Sequence, residues 1–446
     1  INNPKVGIWD WVALIVGGNG NSVVATDCLD NSYVLGTYDT TCLFYDANGS
    51  TSFTLVSPTV TNGYVGKLDK SGKWLWITTI RTIDYPIIGV DLKTDCSGNI
   101  NISIDTMSSQ IVFINPNGSS NLTLNITSNS IPKLSSVIAK ISSGGKWLWA
   151  SYVHRLDNYA YASYINTDCD GNLIVTGVYN GAVDFYSHAN TIQLSIVSSQ
   201  VDDIFAAKLD MNGNWIWTTT ISGQDNGSSA RTVIDCDGNY YIVGGCDNNT
   251  TEFTNADGSL SAVIYGPGIY IGKLSPNGFW IWTAYIGGDG GEHANGVTVS
   301  NCGELYVVGQ YGNALGFINS NGASTVWLAS PPNSNDGIVA KIDVNGFWQW
   351  AVTLSWQAGS FIDVNDVITD SKENIYIIGS YGNQITLNNS DTSVGIVLAD
   401  APNAGRSIIA KLSPSGFWEY AAKIEGGVYN TSIDIDSHSN IHTTGP

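Results

Sequence analysis

Short runs of alternating apolar and polar residues, separated by turn-forming residues, fill almost the whole chain of 446 residues. Residues 230–245 show the pattern well, because two β-branched and aromatic runs flank a Cys-Asp-Gly-Asn turn. Alternation with a period of two is typical of half-buried strands, and such a turn can supply the positive φ angles of a tight hairpin. No segment has a convincing helical period. The pattern therefore predicts β-hairpins throughout.

A Gly-x-Trp-x-Trp motif recurs seven times along the chain, at intervals of 65 to 73 residues. A fixed long period predicts a repeat architecture. The first tryptophans of the motif are Trp9, Trp74, Trp147, Trp215, Trp280, Trp348 and Trp418. The second aromatic, two residues later, lies on the same face of the strand. Because every repeat carries the pair, we interpret it as a structural signature and not as a ligand site.

A second signature lies in the hairpin turn of the first half of each repeat, where an aspartate is followed four residues later by asparagine. These aspartates are Asp27, Asp95, Asp168, Asp235, Asp370 and Asp436. The fifth repeat has Ser300 and Glu304 at the two positions. The Asp-x-Asp-Gly-Asn copies resemble the start of a calcium loop, but further oxygen ligands are missing at the required spacing. We therefore interpret these residues as turn formers.

Each repeat is predicted to contain four regular strands and an extra, projecting two-stranded ribbon. The chain opens in the second half of a repeat, at Trp9, and closes in the first half of one, at Asp436. Joining the two ends would complete a seventh unit and remove open sheet edges. We predict an all-β fold with one domain over residues 1–446. This domain is a seven-bladed β-propeller closed by N- and C-terminal strands that share one blade. An open β-solenoid is the alternative.

The unit Ala-Lys-Leu-x-x-x-Gly-x-Trp-x-Trp, followed by Val-x-x-Asp-x-x-Gly-Asn-x-Tyr-x-x-Gly, resembles the bacterial β-propeller-repeat family of secreted and surface proteins. The best match is residues 272–309, and the resemblance covers nearly the whole chain. It implies a structural repeat without catalysis. Residues 66–74 are also similar to the tryptophan-docking motif of quinone-dependent dehydrogenase propellers, with a shorter spacing. The Ile- and Asn-rich, Lys-poor composition looks like the repeat proteins of large DNA viruses that infect amoebae.

Charge and cysteine content narrow the choice of partners and compartments. The net charge is −20, and it argues against binding to nucleic-acid phosphates, which needs a basic face. No apolar stretch is long enough for a transmembrane helix. The chain starts at Ile1 and not at Met, so we expect that an upstream segment was removed or omitted. Cys28, Cys96, Cys169 and Cys236 occupy one position in four repeats. We expect them to be buried free thiols, too far apart for disulfides, which favours a reducing compartment.

Residues that could carry chemistry show no catalytic pattern. The histidines have no spacing typical of zinc sites; they are His154, His188, His293, His438 and His442. We predict no catalytic residue, no cofactor and no metal. Asn-x-Ser/Thr sequons in or beside the ribbons are glycosylation candidates if the chain passes through a secretory route. These candidates are Asn48, Asn117, Asn121, Asn248, Asn249 and Asn388.

Together these patterns favour a non-enzymatic structural or interaction propeller, placed on a virion or on a cell surface. We expect a protein partner or self-association, with a glycan as a further candidate ligand and no nucleic acid. Two other classes stay open: a carbohydrate-binding propeller and a glycosidase- or quinoprotein-type enzyme. A lectin should have equivalent pockets between blades. An enzyme should have one asymmetric pocket whose polar residues break the repeat.

Overall fold

The computed structural model describes residues 11–57, 61–126, 134–156, 159–198, 202–224, 230–246, 250–288, 292–312, 314–328, 336–356, 362–399, 405–424, 432–436 and 439–444. Within these ranges all regular elements are β-strands, and their pairing is antiparallel. The prediction of an all-β fold is confirmed, and the repeated antiparallel sheets are consistent with a β-propeller.

The strands of the first half of the chain are β1 (Leu14–Thr26), β2 (Ser32–Tyr45), β3 (Thr51–Val56), β4 (Asn62–Leu68), β5 (Trp74–Thr82), β6 (Ile87–Thr94), β7 (Ile100–Thr106), β8 (Gln110–Ile114), β9 (Ser120–Asn125), β10 (Ser135–Ile141), β11 (Trp147–Arg155), β12 (Tyr159–Thr167), β13 (Leu173–Asn180), β14 (Ala182–Tyr186), β15 (Ile192–Val197), β16 (Asp202–Leu209) and β17 (Trp215–Gln224).

The remaining strands are β18 (Arg231–Ile234), β19 (Tyr240–Cys246), β20 (Thr250–Thr254), β21 (Leu260–Tyr265), β22 (Gly268–Leu274), β23 (Trp280–Gly287), β24 (His293–Val299), β25 (Leu305–Tyr311), β26 (Leu315–Ile318), β27 (Ser324–Leu328), β28 (Asp336–Ile342), β29 (Trp348–Trp356), β30 (Ile362–Thr369), β31 (Ile375–Gly382), β32 (Gln384–Asn388), β33 (Val394–Ala399), β34 (Gly405–Leu412), β35 (Trp418–Ile424), β36 (Ser432–Ile435) and β37 (Ile441–Thr444).

The described residues divide into two compact units. The first unit consists of the described residues up to Thr218 and of the described residues between Asp436 and His442. The second unit consists of the described residues from Thr219 to Ile435 and of the described residues from Thr443 onward. The division falls inside β17.

The six- and seven-stranded sheets combine strands from two successive repeats. In the first unit one sheet has the order β6-β7-β10-β11-β14-β15, and another has the order β1-β2-β4-β5-β8-β9 with β3 on β2. In the second unit the orders are β18-β19-β22-β23-β26-β27, β24-β25-β28-β29-β32-β33 and β30-β31-β34-β35. The first four strands of each belong to one repeat, and the last two, where present, are the ribbon of the next repeat.

The predicted ribbon therefore exists, but the expectation that it projects was wrong. The ribbon of β14 and β15 continues the preceding sheet, because β14 pairs with β11 from Tyr152↔Tyr186 to Arg155↔Val183. The tryptophan strand would otherwise be an edge with unpaired backbone groups. Pairing with the ribbon satisfies them.

The apolar cores lie between successive sheets within each unit. In the first unit Leu35 and Val65 of one sheet share a buried cluster with Ile102 of the next. The first strands of two successive repeats, β6 and β12, are also joined directly, since Thr167 Oγ1 donates to Thr94 O at 3.1 Å. The count of seven blades and the closure of the ring stay predictions, because residues 1–10, including Trp9, lie outside the described ranges.

Candidate functional site

Within the described residues, the first tryptophan of each motif lies buried against the ribbon of its own repeat. The Trp147 ring packs on Phe113 with centroids 4.7 Å apart, and its Nε1 donates to Ile114 O at 3.3 Å. The Trp147 backbone N–H donates to Asn115 Oδ1 at 3.0 Å. Because this ribbon pairs with the preceding sheet, the ring ties its repeat to the one before. Indole–carbonyl bonds of the same kind occur at Trp74, Trp215, Trp280, Trp348 and Trp418.

The second tryptophan of the motif contacts the repeat that follows. Trp149 Nε1 donates to Met211 O at 2.9 Å, in the turn before the next tryptophan strand. Gly213 in that turn has a φ of +86°, and a Cβ there would lie 2.9 Å from the Trp149 ring. A positive φ angle and a close ring of the preceding motif likewise require glycine at Gly72, Gly145, Gly346 and Gly416. Equivalent bonds are made by Trp11, Trp76, Trp282 and Trp350.

The turn aspartates act as acceptors that close their own hairpins. Asp27 Oδ1 accepts the backbone N–H groups of Leu29 and Asn31, both at 2.9 Å, and Tyr33 OH donates to Oδ2 at 2.7 Å. Burial alone would raise the pKa of Asp27, but the hydrogen bonds from Asn31 and Tyr33 outweigh it and lower the pKa. The backbone bond to the fourth following residue recurs at Asp95, Asp168, Asp235, Asp370 and Asp436.

A lysine from the third strand pairs with the turn aspartate in four of the repeats that the described residues cover. Lys140 Nζ lies 2.9 Å from Asp95 Oδ2, and both side chains are almost fully buried. The other pairs are Lys67–Asp27, Lys208–Asp168 and Lys273–Asp235. The sequence reasoning missed this partner. Its signal was the lysine that lies seven residues before the first tryptophan in six of the motifs: Lys67, Lys140, Lys208, Lys273, Lys341 and Lys411.

Two repeats depart from this arrangement: in the sixth, Lys411 pairs with Glu419, and in the fifth the turn itself is changed. Lys341 forms an ion pair with Glu304, which stands where other repeats have asparagine. Burial lowers the pKa of Lys341, although the charge of Glu373 opposes the shift. Ser300 Oγ accepts the backbone N–H groups of Cys302 and Glu304, both at 3.3 Å. The turn is therefore capped by serine while the acidic partner of the lysine has moved to the other end of the turn.

The repeated cysteines differ from the sequence expectation. Cys28, Cys96, Cys169 and Cys236 are free thiols, but all four are exposed. The expectation of burial was wrong because each of these residues lies in an exposed hairpin turn. The Cys169 thiol also lies near enough to Cys96 to raise its pKa.

The histidines occupy separate environments. His154 is buried, and its Nδ1 lies 2.8 Å from Ser135 Oγ. His442 lies in the last hairpin, with Nδ1 at 3.0 Å from Ser32 Oγ and Nε2 at 3.3 Å from Asp436 Oδ2. His438 is outside the described residues. Across the described part of the chain, no three His, Cys, Asp or Glu side chains are grouped so as to hold a metal ion.

The candidate glycosylation residues fall into different settings. Asn48 and Asn117 are exposed in ribbon turns, where each side-chain oxygen accepts a backbone N–H two residues later. Asn121 is exposed, and its Nδ2 donates to Trp147 O at 3.2 Å. Asn388 is partly buried, with Nδ2 2.9 Å from Thr353 Oγ1. Asn248 and Asn249 lie outside the described residues.

The outer ribbon strands carry several strongly exposed apolar side chains. They include β3, β15, β21 and β33, each an end strand of its sheet in the described part of the chain. Val197 is 74% exposed and Tyr265 is 75% exposed. Further exposed apolar residues on these strands are Val56, Ile192, Leu260, Val394 and Val397. Sequence alternation did not reveal them, because it locates strands without saying which strand ends a sheet.

Comparison with known proteins gives one relative. No family model matches the chain. The chain is 24% identical over 328 residues to an uncharacterized WD repeat-containing protein of Acanthamoeba polyphaga mimivirus. The aligned region covers 66% of this chain and 22% of that protein, so the chain spans about a fifth of the relative's length. The similarity supports a repeat protein of the propeller class.

WD repeats are about 40–45 residues long and form four strands. The repeats here are 65 to 73 residues long, and the ribbon supplies much of the difference. No helix among the described residues is long and apolar enough to cross a membrane.

Proposed function

We propose that this chain is a non-enzymatic scaffold of the propeller class whose ribbons bind a protein partner or a second copy of the chain. The observation that carries the proposal is the set of exposed apolar side chains on the outer ribbon strands. A strand that ends a sheet offers unpaired backbone groups, and apolar side chains on it add area that favours burial. The WD repeat description of the relative supports an interaction role.

The mode of binding that fits this surface is strand addition. An extended segment of the partner pairs with the backbone of β15 or β33, and its apolar side chains cover Val197 or Val394 and Val397. The negative net charge of −20 favours a partner with a basic segment. We propose the exterior of a viral particle or cell as its location, and the viral origin of the similar protein supports the first of these.

The test compares two variants of the full chain. One variant carries Val197→Lys and Val397→Lys on outer ribbon strands, and the control carries Leu29→Lys in an exposed hairpin turn. Complexes are crosslinked in the particles or cells that contain the chain, and the linked peptides are identified by mass spectrometry. We expect crosslinks at the ribbons in the wild type and the control, and their loss in the ribbon variant.

Two results would overturn the proposal. One is equal crosslinking of the ribbon variant and the wild type. The other is a wild-type chain that remains a free monomer and turns over a substrate. Protease treatment of intact particles checks the location, since a ribbon exposed on the exterior is cleaved before the particle is opened.

A further inference from the structure

The turns that carry Cys96 and Cys169 are held against each other in the first unit. Lys140 Nζ contacts both turns, at 2.9 Å from Asp95 Oδ2 and 3.3 Å from Gly171 O. The strand ends leading into the turns are joined by the bond from Thr167 Oγ1 to Thr94 O at 3.1 Å. Two independent contacts therefore fix the distance between these successive repeats.

Each turn is also rigid in itself. Asp95 N donates to Asn99 O and Asp168 N donates to Asn172 O, both at 2.9 Å. The cysteine directly follows the aspartate in each case and is exposed. The thiols of Cys169 and Cys28 both lie near enough to Cys96 to raise its pKa. A disulfide requires two cysteines on backbones that are already close together, and the contacts of Lys140 and Thr167 hold the Cys96 and Cys169 turns against each other.

We infer that Cys96 and Cys169 are a modification site that forms a reversible disulfide by exchange with a small disulfide, linking two successive repeats. One thiolate attacks the small disulfide, forming a mixed disulfide and releasing one small thiolate. The second thiolate of the pair attacks the protein sulfur of the mixed disulfide, forming the bond between Cys96 and Cys169 and releasing the other small thiolate. The protein loses two electrons and two protons, and the small disulfide is reduced to two thiols.

The rate of the exchange should rise with pH. Burial and the neighbouring thiol of Cys169 raise the pKa of Cys96. Since only the thiolate attacks, oxidation is slow at neutral pH and accelerates in alkaline solution.

The experiment uses the reduced full chain, equilibrated with oxidised glutathione, alkylated and digested with trypsin. Cleavage after lysine and arginine places Cys96 in the peptide 94–133 and Cys169 in the peptide 156–208, each without another cysteine. We expect these two peptides to be linked, and the link to be removed by dithiothreitol. The Cys96→Ser and Cys169→Ser variants should lack the linked species, and the matched control Cys28→Ser should keep it.

A denaturation series shows that the variants are folded. Because both thiols are exposed, reduced Cys169→Ser should have the same urea midpoint as the reduced wild type. The oxidised wild type should have a higher midpoint, since the bond closes a long loop in the unfolded chain. The inference is overturned if Cys28 is the partner of Cys96, or if both cysteines only accumulate separate glutathione adducts.

Discussion

The pair of Asp95 and Lys140 is the clearest buried ion pair among the hairpin turns, with the two side chains 3% and 4% exposed. Removing the carboxylate leaves a buried ammonium without its partner, which costs more than the loss of an exposed pair. We predict that Asp95→Ala lowers the free energy of unfolding by about 3 kcal/mol. Urea denaturation at neutral pH measures the change.

The control for this prediction is Asp257→Ala. Asp257 is also a turn aspartate, but it is exposed and its carboxylate accepts hydrogen bonds from Ser259. We expect a much smaller loss for the control, as for an exposed turn residue. Equal losses in the two variants would mean that the ion pair contributes nothing beyond the turn itself.

Asp105 should make stability depend on pH. Burial raises its pKa to about 7, although Ser136 Oγ donates a hydrogen bond to it at 2.5 Å. An unfolded aspartate titrates near pH 3.9. The folded protein thus retains a proton that the unfolded chain has released, so the stabilisation is complete below about pH 4 and is lost as the pH rises through about 7.

The matched variant for this dependence is Asp105→Asn, which cannot titrate. The difference in unfolding free energy between the wild type and the variant should fall by roughly 2–4 kcal/mol between pH 4 and pH 7. Urea midpoints collected across this range give the difference. Parallel curves for the two proteins would contradict the prediction.

Residue patterns allowed the prediction of the turns, but not of the partners of their side chains. The spacing of Asp27 and Asn31 was sufficient to predict a tight hairpin. The approach of Lys67 was not predictable, because the lysine lies 40 residues away and its pairing depends on strand register. The exposure of Cys96 was not predictable for a similar reason, since it depends on how the turns of successive repeats meet.

At the level of the strand, the second tryptophan links its strand to the following repeat. Trp149→Phe keeps an aromatic ring but removes part of the buried indole and the N–H group that donates to Met211 O. We predict a loss of about 2–3 kcal/mol, because about 1 kcal/mol for the hydrogen bond adds to the cost of the cavity. Leu148→Ala is the control, because the Leu148 side chain lies next to Trp149 in sequence but is exposed on the opposite face of β11. Thermal unfolding of both variants measures the difference, and a larger loss in the control would refute this role.

The strands were predictable as elements because each has its own alternating run and its own turn. Their order within a sheet was only partly predictable. Hairpin neighbours such as β6 and β7 pair through a short turn. The pairing of β11 with β14 joins two different repeats through backbone hydrogen bonds. Because the backbone groups are the same in every residue, the side chains do not indicate this pairing. The sequence therefore indicated a ribbon but could not show which strand it joins.

For the whole molecule, the decisive contact joins the two ends of the described chain within the first unit. The rings of Trp11 and His442 have centroids 6.1 Å apart, the same distance as those of Trp76 and Tyr33 in a complete repeat. Trp11 Nε1 also donates to Lys70 O at 3.0 Å, as the second tryptophans of other motifs do. This arrangement supports the prediction that the first and last strands share one blade.

A double-mutant cycle tests this prediction. Trp11→Ala and His442→Ala should couple by about 0.5–1.5 kcal/mol, as expected for aromatic rings in contact. Trp11→Ala and Leu148→Ala should be additive, because Leu148 lies on β11, which is not in the sheet of β1, the strand that follows Trp11. A coupling of zero between Trp11 and His442, measured by urea denaturation, would argue against a shared blade.

The pairing of a ribbon with the sheet of the preceding repeat also affects the order in which the chain can fold during synthesis. The strand β11 ends at Arg155, but the ribbon that completes its sheet ends at Val197. At about 5–20 residues per second, a ribosome needs roughly 2–8 s to make the intervening segment. During that interval the tryptophan strand is the open edge of a finished four-stranded sheet. Nascent chains on neighbouring ribosomes could then exchange ribbons, so slow translation between β11 and β15 should favour intermolecular swapping.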